Sequence, residues 1–222
     1  GRITHFVSTD RDMTERIKME EDLARSNAEL QQFTHVASHD LQEPLRMISL
    51  YLQLLQSKYQ GKLDKDADQY IQFTVDGALR MKDLIVDLLT YSQVGKAKKS
   101  LLSTNCEEVL LEVTKNLSAA IQESGASIRN GRLPTLLADK IELVQLFQNL
   151  IGNAIKYCDE TRAPEIQIDA EKKLEEWEFT IRDNGIGIEA ESLDRIFLMF
   201  QRLHGKSEYP GTGIGLPICK KI

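Results

Sequence analysis

Apolar residues in the first ninety-odd positions fall three and four apart, the spacing that gathers them on one side of a helix. Leu41, Leu45, Ile48, Leu52, Leu55 and Tyr59 form one such run; Tyr70, Phe73, Gly77, Met81, Leu84, Leu88 and Tyr91 form a second. Gln60-Gly61-Lys62 interrupts the pattern between them. Two long helices with a short connection predict an antiparallel hairpin. Upstream, Ile17, Leu23, Leu30, Phe33 and Ala37 lie at or near heptad spacing, which predicts a coiled-coil seam leading into the first helix. Ile71, Ala78 and Ile85 add a flanking stripe on the second helix, wider than one partner covers. Two hairpins together, a dimeric four-helix bundle, would bury both stripes.

The pattern changes after the polar stretch Gly95-Lys96-Ala97-Lys98-Lys99-Ser100, which reads as a hinge. Thr104 with Glu107, and Asp139 with Glu142, are spaced as capping boxes that open helices. Residues 126–130 and 135–138 read as short strands. Ile166, Ile168 and Ala170, then Trp177, Phe179 and Ile181, alternate on either side of the charged segment 171–176, as in a strand hairpin. The expected fold class is α+β: a long antiparallel helical hairpin followed by an α/β sandwich with helices on one sheet face.

Composition narrows the function. The 222 residues carry a net charge of −6 with no basic block, which disfavours nucleic acid as a partner. No apolar run approaches the roughly 18 residues needed to span a bilayer. Cys106, Cys158 and Cys219 are odd in number and form no CxxC, as expected of reduced thiols in a cytoplasmic protein.

Several residues carry candidate chemistry. His39, beside Asp40, points about 160° from the apolar stripe at about 100° per residue, so its imidazole is presented to solvent. Its ordinary pKa leaves the ring mostly neutral near pH 7 and able to attack an electrophile. Asn149 and Asn153 are one helical turn apart, with Lys156 and Tyr157 following, and amide oxygens suit Mg²⁺; solvated or capping asparagines would look the same. Asp183 with Gly185 and Gly187 follows the last predicted strand, where a carboxylate can accept from an adenine amino group; alone, the pattern is a turn. Phe197 and Phe200 bracket a loop that ends in Arg202, which could reach a phosphate. Gly211, Thr212, Gly213, Gly215 and Leu216 open the last helical stretch, where free N–H groups attract anions.

In this order, behind an exposed histidine on a helical hairpin, these segments resemble the sensor histidine kinases of two-component signalling. His39 to Leu45 is similar to the family's phospho-acceptor box, Asn149–Tyr157 to its N box and Asp183–Gly187 to its first glycine box. Phe197–Arg202 is similar to its F box and Gly211–Gly215 to its second glycine box. Residues 1–14 resemble the end of a PAS-type sensor domain and its linker. The resemblance implies a coiled coil and dimerisation hairpin over 15–95, a hinge over 96–102 and an ATP-binding domain over 103–222 that lacks its C-terminal end.

By the same resemblance, ATP lies under a lid of about residues 199–212. Asn153 with Asn149 holds Mg²⁺, Lys156 and Arg202 contact phosphates, and Tyr157 packs near the nucleotide. Asp183 reads adenine, and the Gly211–Leu216 segment supplies backbone donors. His39 attacks the γ-phosphate with Asp40 as general base, the chain works as a homodimer under an upstream sensor domain in cis, and a response regulator receives the phosphoryl group. Pro44 cannot donate to the carbonyl of Asp40 and so loosens the helix there. Glu43 stands where phosphatase-competent relatives carry Thr or Asn, which argues against that activity. A catalytically silent dimeric scaffold of the same fold is the alternative, and it predicts decay of the Asn153 and Asp183 positions.

Overall fold

The computed structural model describes residues 18–19, 40–95, 101–159, 161–203, 209 and 211–222. The expectations for residues 1–14, for the heptad positions Leu23, Leu30 and Ala37, for His39 and for the polar stretch 96–100 lie outside the described residues.

Helix α1 covers residues 40–59, and α2 covers Lys65–Gln93. Gly61 closes the connection with φ of +72°, a conformation that costs glycine nothing, and its N–H donates to Asp68 at 2.9 Å. Asp64 opens α2 by accepting from the Ala67 N–H at 2.8 Å.

The seam inside the hairpin differs from the stripes that periodicity picks out. Leu45 and Ser49 on α1 and Val75 and Ala78 on α2 are buried, and Gln56 donates to Gln72 between the helices. Leu41, Ile48 and Leu55, assigned to the buried stripe, remain exposed, as do Tyr70 at 66%, Phe73 at 62% and Met81. The stripe through Ala78, read as flanking, is the one that packs within the chain. A period of three and four locates an apolar face, but not which edge of it each neighbour takes.

The second half begins with β1 (Leu102–Asn105) and α3 (Cys106–Asn116). Asn105, not Thr104, caps α3, accepting from the Glu107 N–H at 2.9 Å. Thr104 is instead buried in β1, and its hydroxyl lies 3.0 and 3.1 Å from the Leu102 and Ala138 carbonyls, either of which can accept its proton. The expected box fails because strand pairing claims the threonine one residue earlier. Helix α4 (Ser118–Ser124) ends at Gly125 in the left-handed region. Strands β2 (Ser127–Asn130) and β3 (Thr135–Ala138) lie where alternation put them. Helix α5 (Lys140–Lys156) is capped by Asp139, which accepts from the Ile141 and Glu142 N–H groups. Strands β4 (Glu165–Lys173) and β5 (Glu176–Asp183) use most of the charged segment as strand. A 3₁₀ turn (Ala190–Ser192) and α6 (Gly215–Lys221) complete the described elements.

Strands β1 and β3 pair antiparallel; β2, β4 and β5 form a second sheet in that order, with β2–β4 parallel and β4–β5 antiparallel. Helices α3 and α5 cover the apolar face, and Val109, Val113, Phe147, Ile151, Ile166 and Ile168 fill the space between them. Phe147 meets Phe179 edge-on, with ring centroids 5.6 Å apart. Among the described residues no helix is long and apolar enough to cross a membrane.

Candidate active site

Helix α5 puts its apolar face into the core and turns Asn149, Asn153 and Lys156 outward on one side. They line a cavity of about 620 Å³ together with Tyr157, Asp183, Gly187, Arg202, Gly211, Thr212, Gly213, Gly215 and Leu216, within the size range of small-molecule sites. All of the nucleotide positions taken from the sequence except Gly185 line this cleft, and Gly185 lies behind it in the turn that holds Asp183. Apolar side chains close another side: Ile186, Ile188, Leu193, Ile196 and Leu203. The sequence reading missed these, since they lie in loop and carry no period.

The floor is built around the end of β5. The Asp183 carboxylate accepts from the Gly185 N–H at 2.9 Å, and the Ile186 N–H donates to the Tyr157 carbonyl at 2.9 Å. A Cβ on Gly185 would lie 2.5 Å from that carbonyl oxygen and 2.7 Å from the Asp183 carboxylate, so the turn admits only glycine. Asn184 ties the same turn to the segment that leads into β4. Its amide donates to the Ala163 carbonyl at 3.0 Å and accepts from the Glu165 N–H at 2.9 Å.

Opposite, the glycine loop folds against the Phe197–Arg202 segment. The Phe200 N–H donates to the Gly213 carbonyl at 3.1 Å. Gly213 adopts φ of +77°, and a Cβ there would come within 2.8 Å of the Gln201 carbonyl. The Arg202 guanidinium, expected at the phosphates, donates to the carbonyls of Gly211 and Tyr209 at the start of the glycine loop. The Asn149 amide donates to the Gly215 carbonyl at 3.3 Å and accepts from Gln145 at 3.2 Å, so it anchors α5 to α6. Helix α6 starts at Gly215, within the glycine segment expected to open it.

Lys156 places its ammonium 4.1 Å from the centroid of Tyr157, and a Cβ on Gly211 would sit 2.9 Å from that nitrogen. Backbone thus comes close to a cation at the same end of the cleft as the glycine loop, an arrangement suited to an anion. The Tyr157 ring packs on Tyr209 at 5.0 Å. One acidic residue comes from outside this half of the chain. Asp87 of α2 lines the cleft and accepts a hydrogen bond from the Thr212 hydroxyl. No local pattern in the sequence marks it.

On the hairpin, Asp40 and Glu43 are exposed at the start of the described α1. Glu43 is paired with Arg46 at 2.7 Å. The helix continues through Pro44.

Comparison with known proteins follows the same division. Residues 138–222 match the histidine kinase-, DNA gyrase B- and HSP90-like ATPases, and residues 29–96 match the His Kinase A (phospho-acceptor) domain. Cyanobacterial phytochrome A of Nostoc sp. is 50% identical over 96% of this chain and 28% of its own length. Phytochrome-like protein Cph1 of Synechocystis sp. is 46% identical over the same shares. The chain therefore spans just over a quarter of these curated relatives. The crystal structure of full-length ShkA in complex with AMPPNP superposes with a TM-score of 0.63 at 26% identity, over 86% of this chain and 40% of that one. With a phospho-acceptor hairpin in front and an ATPase-like sandwich behind, the chain belongs to the sensor histidine kinases.

Proposed function

We propose that this chain transfers the γ-phosphoryl group of ATP to His39 and from there to an aspartate of a response-regulator receiver domain. The observation that carries the reading is the single cleft that gathers Asn153, Lys156, Asp183 and the Gly211–Leu216 loop from separate stretches of sequence. The AMPPNP complex of the similar ShkA supports nucleotide as its occupant. A silent scaffold predicts decay at the Asn153 and Asp183 positions, and both residues are present and line the cleft.

The roles follow from chemistry. The apolar wall formed by Ile186, Ile188 and Ile196 takes the flat base, and the Asp183 carboxylate accepts from its amino group. Lys156 and the backbone donors of the glycine loop hold the phosphates. Asn153 would hold Mg²⁺ through its amide oxygen, with Asn149, whose oxygen also accepts from Gln145, one turn away on the same side of α5; the ion would neutralise phosphate charge. A ring nitrogen of His39 forms the new bond to Pγ while the bond from Pγ to the bridging oxygen breaks and ADP departs. Asp40 takes the imidazole proton, and positioning supplies most of the acceleration.

The exposed apolar side chains of α1 and α2 support a second copy as the covering partner. The upstream segment would connect this dimer to a sensor domain. Glu43, four residues after His39 in sequence, offers a carboxylate where phosphatase-competent relatives carry Thr or Asn, so phosphatase activity is expected to be weak.

Incubation with Mg-ATP followed by phosphosite mapping tests the reading. The expected product is a phosphoramidate on His39, stable to base and labile to acid, and absent from His39→Ala. Phosphate on Ser or Thr, or none at all on the full-length parent, would overturn it.

A further inference from the structure

Asp87 is a hairpin residue in a cleft that otherwise belongs to the sandwich. Its contact with Thr212 spans 125 positions of sequence and does not stand alone. Lys221 of α6 donates to the Tyr91 carbonyl of α2 at 2.6 Å, with its ammonium 4.4 Å from the centre of the Tyr91 ring. Val94, Ile214 and Ile218 form a small buried cluster between the same helices. The Gly95 N–H donates to Glu142 at 3.1 Å. Together these contacts dock the end of α2 onto α6, the glycine loop and the first turn of α5.

The docked arrangement brings negative charge to the loop that the proposed function gives to phosphates. Burial holds the Asp87 carboxyl above its ordinary pKa, the Thr212 hydroxyl opposes that rise, and nearby Asp83 adds to it. A carboxylate already disfavoured there is disfavoured further when a polyanion enters the same cleft. Thr212 can donate its one hydroxyl proton to only one acceptor at a time.

We propose that Asp87–Thr212 is a latch between hairpin and sandwich that nucleotide displaces. Docking and triphosphate binding compete for the glycine loop, so ATP entry releases α2 from α6 and sets the sandwich free to approach a phospho-acceptor. The inference rests on reading the cleft as the nucleotide site. By reciprocity, whatever pushes α2 away from α6 must tighten ATP binding by the same factor.

The test is Mg-ATP affinity of the 222-residue chain and two variants by titration calorimetry, with circular dichroism as a folding check. Asp87→Asn keeps an oxygen for Thr212 but removes the charge, and should tighten binding by about 3- to 10-fold, the gain from a larger binding-competent fraction. Lys221→Met weakens docking without touching the cleft and should tighten binding by about 2- to 5-fold on the same argument. Weaker binding by Asp87→Asn would make Asp87 an aid to the metal, and would overturn the latch. A gain confined to Asp87→Asn would reduce the contact to local repulsion, and would overturn it too. Absence of binding by the unmodified chain would instead remove the nucleotide reading beneath it.

Discussion

Two glycines, one inside α5 and one in the turn after β5, show how differently single positions are constrained. Gly185 has the Tyr157 carbonyl 2.5 Å from where a Cβ would go; that atom is backbone and cannot swing aside. Gly185→Ala should therefore open the turn that holds Asp183, lowering stability by about 1–3 kcal/mol, the usual cost of overpacking, and nucleotide affinity by at least about tenfold. Gly152, inside α5, has nothing within 4 Å of its Cβ position. Gly152→Ala should raise stability by up to about 1 kcal/mol through helix propensity, with affinity unchanged. Denaturant midpoints and calorimetric titration of the two variants check both halves of the contrast. Neither outcome can be read from the sequence, where both are glycines beside apolar neighbours; the difference lies in which backbone the fold brings alongside.

At the scale of elements, α5 shows what was legible and why. Asp139 followed by Glu142 announces its start, and an apolar period locates the face that carries Phe147 and Ile151 into the core. The asparagines then fall on the other side by geometry alone. This division predicts separable defects. Phe147→Ala should cost about 3–5 kcal/mol in a denaturant melt. Asn153→Ala should leave the melt unchanged and remove the Mg²⁺ dependence of ATP affinity; affinity that stays Mg²⁺-dependent would exclude Asn153 as the ligand. Strand alternation at β4 and β5 was equally readable, but not the parallel pairing of β2 with β4, since a period of two carries no direction. Helix α4 was invisible because it is seven residues long and has no side-chain cap, although Gly125 marked its end. The hairpin stripes were visible as apolar, yet their assignment to inner and outer partners depends on a neighbour that the chain's own pattern does not contain. Asp87 was beyond reach for the same reason: its meaning comes from Thr212, far along the sequence.

For the whole molecule, the exposed faces of α1 and α2 call for a second copy, and light scattering at micromolar concentration should give twice the monomer mass; a monomer would refute the bundle. The join between hairpin and sandwich has a further consequence. Among the described residues only Val94, Ile214 and Ile218 are fully buried in it, with Leu84, Tyr91 and Ile222 packed around them, while the sandwich has its own larger core. So thin a join cannot make the two parts melt as one cooperative unit. Scanning calorimetry should resolve two transitions. The one belonging to the hairpin should rise in temperature as the protein is concentrated, because mass action stabilises an assembly but not a self-contained fold. The sandwich transition should stay where it is. Dilution would then unravel the phospho-acceptor while leaving the nucleotide cleft folded, which makes abundance itself a control on whether the two halves can work together.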